Sequence, residues 1–215
     1  MFGIVAAAGG VSKNITFVGS SVDNDTSLII PSFQNGDYAF IFQSNLGTTS
    51  IPNTPTNFTS ITTGTISGGG GGAGTTSLGV KISYKKMATG DSSNITLSGS
   101  GVRAMALVFR PDFSGTLEDY GSPNTQSVTT DPALQTVVGP STVLYPHIIF
   151  GHYSSSGVIA PRSSSVTMSE IQGVTTSQYV KYKIYNAGDT AESVEINMDD
   201  EGTNSLQSFY FQIQG

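Results

Sequence analysis

The chain has 215 residues, only 11% of them charged, with a net charge of −6 and a pI near 4.6. That balance excludes a basic stripe able to neutralise nucleic-acid phosphates, and equally an electrostatic footing on an anionic membrane. Cysteine is absent, which removes disulfide frameworks and thiolate metal sites, and the length suits one domain.

Residues 1–10 are apolar or small and carry no charged side chain. They lack the basic start of a secretory signal and are too short to span a bilayer, so residues 1–13 read as an arm preceding the domain. Short strands are predicted at 14–18 and 27–30, with a polar turn between them that contains Asp23, Asn24 and Asp25. Asn35-Gly36-Asp37 then turns into Tyr38-Ala39-Phe40-Ile41-Phe42, an apolar run suited to the centre of a sheet. Residues 44–55 read as loop, fixed by Pro52 and Pro55, and residues 57–61 as a strand. Residues 68–72 are all glycine. No Lys-Ser or Lys-Thr follows at phosphate-loop spacing, so the run reads as a flexible loop in which Gly70 is a candidate for close contact with a neighbouring subunit.

After the glycines comes a unit that recurs about a hundred residues later. Val80-Lys81-Ile82-Ser83-Tyr84 leads through Ala88-Thr89-Gly90-Asp91 to Asn94-Ile95-Thr96-Leu97 and Met105-Ala106-Leu107-Val108-Phe109. Val180-Lys181-Tyr182-Lys183-Ile184-Tyr185 leads through Ala187-Gly188-Asp189 to Val194-Glu195-Ile196 and Phe209-Tyr210-Phe211-Gln212-Ile213. Apolar–polar alternation marks the strands, and Gly-Asp supplies the positive backbone angle of a tight turn. Between the copies, weak strands are predicted at 126–129 and 136–138, a strong one at 145–153 and another at 166–168. No helical periodicity is sustained anywhere. About a dozen strands, with each repeat unit offering one apolar face, predict an all-β fold. It is an antiparallel β-sandwich of jelly-roll or laminin-G-like type, with two sheets of roughly six strands. The single domain spans 14–215, with related halves at about 14–111 and 112–215.

Few residues offer chemistry. His147 and His152 are five apart on one predicted strand, so they lie on opposite faces and do not converge on a metal. One is expected to face in and the other out. No G-x-S-x-G nucleophile elbow occurs, and no acid, base and nucleophile can be assembled into an enzyme. Asp199, Asp200 and Glu201, with Asn204 nearby, form an oxygen-rich turn, as do Asp23, Asn24 and Asp25. Calcium is the one metal such turns suit, although neither has EF-hand spacing; no other cofactor is expected. Tyr120, Tyr145, Tyr153, Tyr179, Tyr182 and Tyr185 are candidates for a sugar-stacking platform, in a chain without tryptophan.

The order Ile15-Thr16-Phe17-Val18-Gly19-Ser20, Gly36-Asp37-Tyr38-Ala39, Pro55-Thr56-Asn57-Phe58, a glycine-rich loop, Ala88-Thr89-Gly90-Asp91 and Val108-Phe109-Arg110 carries a family resemblance. It resembles β-sandwich proteins of bacteriophage virions, notably those of marine and cyanobacterial phages. Their pattern is an opening strand, a "GD" strand, a P-x-G-[FW] step, a glycine-rich loop and a strand ending in "FR" or "YR", with a weaker second copy following. Asn57 departs from the preferred Gly, and Asn also tolerates left-handed geometry. The resemblance implies a non-enzymatic protein on the virion surface, either a capsid decoration or cement protein or a small tail-attached appendage. Its implied partners are other virion proteins and copies of itself. The alternative is a carbohydrate-binding, receptor-recognising module of a tail fibre, whose partner would be a host surface glycan. In the structural reading, Phe2, Ile4 and Val5 of the arm are the candidates for anchoring onto a neighbouring subunit.

Overall fold

The computed structural model describes residues 12–23, 26–46, 48–66, 77–98, 102–115, 117–128, 133–140, 144–155, 162–175, 177–189, 192–198 and 204–215. Among them are sixteen strands and no helix. The first half contributes β1 (Ile15–Asp23), β2 (Ser27–Ile29), β3 (Tyr38–Leu46), β4 (Thr59–Ile66), β5 (Leu78–Lys86), β6 (Asn94–Thr96) and β7 (Val102–Pro111). Five of these form an antiparallel sheet in the order β1-β7-β3-β5-β4, while β2 and β6 pair only with each other. The second half contributes β8 (Leu117–Asp119), β9 (Asn124–Val128), β10 (Ala133–Val138), β11 (His147–Ser155) and β12 (Arg162–Ser164). It continues with β13 (Ser169–Gln172), β14 (Gln178–Tyr185), β15 (Ser193–Met198) and β16 (Asn204–Gln214). Its large sheet runs β13-β14-β11-β16-β8, with β9 also on β16, and β10-β15-β12 form a separate sheet.

Read from the other edge, the second sheet repeats the first strand for strand, with β8 and β9 together in the place of β1. The registers agree: Tyr38 lies opposite Lys86 and Phe109, and Ile148 lies opposite Ile184 and Phe211. The duplication therefore covers whole halves, well beyond the three strands that sequence similarity marks.

The two large sheets pack face to face, as the sequence predicts. Their core joins Phe40, Phe42, Ile82, Leu107 and Phe109 to Ile148, Phe150, Val180, Phe209 and Phe211. Phe40 sits 4.9 Å, centroid to centroid, from both Phe150 and Phe211. Each such ring contributes about 1.5–3 kcal/mol by burial.

Three expectations need correction. The repeat unit is not a three-strand sheet: its middle strands, β6 and β15, leave the main sheets, and its outer strands flank β3 or β11 without pairing with each other. Nor are there only two sheets. β7 and β11 are buried on both faces, so one partner sheet cannot cover them. Leu28 of β2, with Ile30 and Leu97, covers Ala39, Ile41, Ala106 and Val108 on the outside of the first sheet. Val137, Val194 and Ile196 of β10 and β15 cover Ile149, Tyr153 and Tyr179 on the outside of the second. The result is four layers. The predicted strand at 166–168 is instead the connection between β12 and β13.

The Gly-Asp turns form as expected, and all three are built alike. Gly36, Gly90 and Gly188 have φ of 94°, 89° and 91°, the third position of a type II turn. The following aspartate accepts from the backbone N–H three residues earlier: Asp37 from Gln34, Asp91 from Ala88 and Asp189 from Asn186, each at 2.7 Å. Asn57, at φ 65°, occupies the same turn position in Pro55-Thr56-Asn57-Phe58, where Phe58 N–H donates to Pro55 C=O at 3.0 Å.

Candidate functional site

The two motifs that carry the resemblance meet in space. Asp37 follows the Gly36 turn and Arg110 is the penultimate residue of β7. Arg110 Nε donates to Asp37 Oδ1 and Nη2 donates to Oδ2, both at 2.8 Å. The Asp37 side chain is 2% exposed against 35% for Arg110, so the guanidinium shields a buried carboxylate from water. Bidentate geometry makes this a strong contact, and it locks the start of β3 to the end of β7. The second half has His147 and Gln212 in these places, since His147 precedes Ile148 as Asp37 precedes Tyr38. Sequence reading quoted both motifs but did not pair them, because nothing local links residues 73 apart.

Both histidines are buried. They lie on opposite faces as predicted, but the outward one does not reach solvent. His147 is 1% exposed and stacks on Tyr185 at 4.8 Å, within the face that β10 and β15 cover. His152 is wholly buried between the large sheets. Its Nδ1 lies 2.8 Å from Gln207 Oε1, and its Nε2 accepts from Gln178 Nε2 at 3.1 Å. Gln178 Nε2 also reaches Phe42 C=O, across the sandwich, at 3.3 Å. These partners assign a neutral ring with its proton on Nδ1. Burial lowers the His152 pKa to about 4, against a smaller opposing effect of the Gln207 hydrogen bond. Burial likewise lowers that of His147 to about 4, opposed by Asp189. Neither ring is a solvent-facing base at neutral pH.

The duplication shows what this network replaces. Phe42 pairs with Ile82 and Met105, and His152 pairs with Val180 and Gln207. Val80 lies two residues before Ile82, as Gln178 lies two before Val180. An apolar triplet, Phe42, Val80 and Met105, thus corresponds to a polar one, His152, Gln178 and Gln207.

The remaining sequence candidates do not assemble. Asp199, Asp200 and Glu201 lie outside the described residues, as do Asn24, Asp25, Gly70, Phe2, Ile4 and Val5. Asn204 opens β16 opposite Ser155, and Asp23 closes β1 opposite Ala104. Among the described residues, no group of three or more His, Asp or Glu side chains is placed to hold a metal. Of the tyrosine candidates, Tyr153, Tyr179, Tyr182 and Tyr185 are buried. Tyr145 is half-buried, with the Lys13 ammonium 4.4 Å from its ring centroid. Tyr120 is half-buried and stacks parallel to Phe211 at 6.2 Å. These six rings pack into the fold and do not form a platform. One cleft, lined by Gly121, Asn124, Thr136, Val138, Ser208 and Tyr210, holds about 170 Å³. Small-molecule sites usually span about 300–1,000 Å³.

No protein-family model matches the chain, and no curated protein or solved structure matches it.

Proposed function

We propose that this chain is a non-enzymatic structural protein of a phage virion, displayed on the particle exterior as a head decoration protein or a small tail-attached appendage. The observation that carries the reading is the Asp37–Arg110 pair. The "GD" and "FR" motifs on which the resemblance rests meet in one buried ion pair, so what the chain shares with virion sandwiches is a set of fold-bearing parts. The packing supports the same direction. Both histidines are neutral and enclosed, and four layers place the large aromatic rings in structural roles. Exposed apolar side chains on the second half, Leu117, Leu134, Val138 and Leu144, are available to neighbouring virion proteins or further copies of the chain.

Surface biotinylation of gradient-purified phage particles, read by quantitative mass spectrometry, tests the reading. Labelled chain at many copies per particle supports it. A chain missing from washed particles, or one that is present but unlabelled until the particles are opened, refutes it.

A further inference from the structure

One end of the space between the large sheets is polar from both sides. Beyond Phe42 and His152, the next inward positions are Ser44 and Arg103 on the first sheet, and Ser154 and Ser205 on the second. Ser44 lies directly opposite Arg103 along paired strands, and Ser154 directly opposite Ser205. The three serines are 0–1% exposed, yet none of their hydroxyls has a hydrogen-bond partner among the described residues. Arg103 is half-buried and donates from Nη1 to Ser177 Oγ, which itself lies 2.5 Å from Thr175 Oγ1. That contact crosses from β7 to the turn that precedes β14 of the other sheet. Burial lowers the guanidinium pKa.

A half-buried guanidinium whose one described partner is a hydroxyl is costly, and so is each unpaired buried hydroxyl. One kind of ligand removes both costs. We propose that this end of the sandwich is a binding site for a small oxyanion, phosphate or sulfate, with Arg103 supplying the charge and Ser44, Ser154 and Ser205 the surrounding hydroxyl donors. The free edge of the Arg103 fork offers paired N–H groups to two oxygens of such an anion. Its partial exposure provides the way in. Ser44 and Ser154 are repeat counterparts, as are Arg103 and Ser205, so both halves contribute to this one end. It stands independently of the virion reading.

Isothermal titration of the full chain with inorganic phosphate, at ionic strength held constant with chloride, tests it. Saturable one-to-one binding is expected. Arg103→Met is expected to weaken it about ten- to a hundredfold, the loss of one charge-assisted contact. Ser154→Ala with Ser205→Ala should also weaken binding while leaving the anion-free protein at least as stable, because those hydroxyls have no partner to lose among the described residues. This second variant keeps the test open if Arg103→Met folds poorly. Acetate, titrated in parallel, separates two sources of the same charge. Saturation by phosphate alone upholds the site for a free tetrahedral anion, and saturation by both upholds it for a carboxylate side chain as well. The proposal is overturned by the absence of saturable phosphate binding, or by undiminished binding in both variants.

Discussion

Acidification should destabilise this protein through His152, and the size of the effect follows from its surroundings. The native ring has a pKa of about 4, against 6.5 in an open chain. Above pH 6.5 both states are neutral and the fold keeps its full stability. Between 6.5 and 4 the unfolded chain takes up a proton that the native ring refuses, so stability falls as pH falls, and it levels below 4. The gap corresponds to about 3.5 kcal/mol at about 1.4 kcal/mol per pH unit, a large share of a typical domain's 5–15 kcal/mol. His147 adds a loss in the same direction. The control comes from the chain's own first half: His152→Phe, Gln178→Val and Gln207→Met together rebuild the triplet Phe42, Val80 and Met105. Urea melts of the wild type and this triple variant at intervals from pH 7.5 to 4.5 isolate the ring. The wild type should lose about 2.5 kcal/mol more than the variant across that window, which stops short of the native pKa. Parallel pH dependences, or a native His152 resonance titrating near 6.5, would refute the reasoning.

At pH 7.5, His152→Phe alone should cost about 2–4 kcal/mol in the same melts, because it strands the Gln178 amide, whereas the triple variant should recover to within about 1 kcal/mol of wild type. Arg110→Met leaves the Asp37 carboxylate buried without its counter-charge, and chemical denaturation should show a loss of about 3–5 kcal/mol. Gly90→Ala and Gly188→Ala each force an alanine into a φ near 90°, for an expected loss of about 1–2 kcal/mol in thermal or urea unfolding.

Much of the fold was legible in local pattern. Gly36, Gly90 and Gly188 announced their turns, and Asn57 took the left-handed place its motif position required. The face-to-face sandwich followed from alternation in β5, β7, β14 and β16. What alternation could not show was the outer pair of layers. A strand buried on both faces, such as β11, reads as strong from sequence, but the sequence does not say what covers its second face. The pairing of Asp37 with Arg110 was hidden for a different reason, since ion pairs between distant strands leave no periodic trace. The His152 network was hidden too: Gln178 and Gln207 look like ordinary polar positions until the duplication sets them beside Val80 and Met105. Apart from Asp23 and Asn204, the calcium and arm candidates fall outside the described residues.

The most direct measurement for the proposed virion role is a cryo-electron density map of intact phage particles in which that proposal places the chain. A four-layer β density on the outside of the head or tail, into which the two halves fit with their pseudo-symmetric sheets, is the expected result. A map whose exterior is fully explained by other proteins, at a resolution that resolves strands, would contradict it.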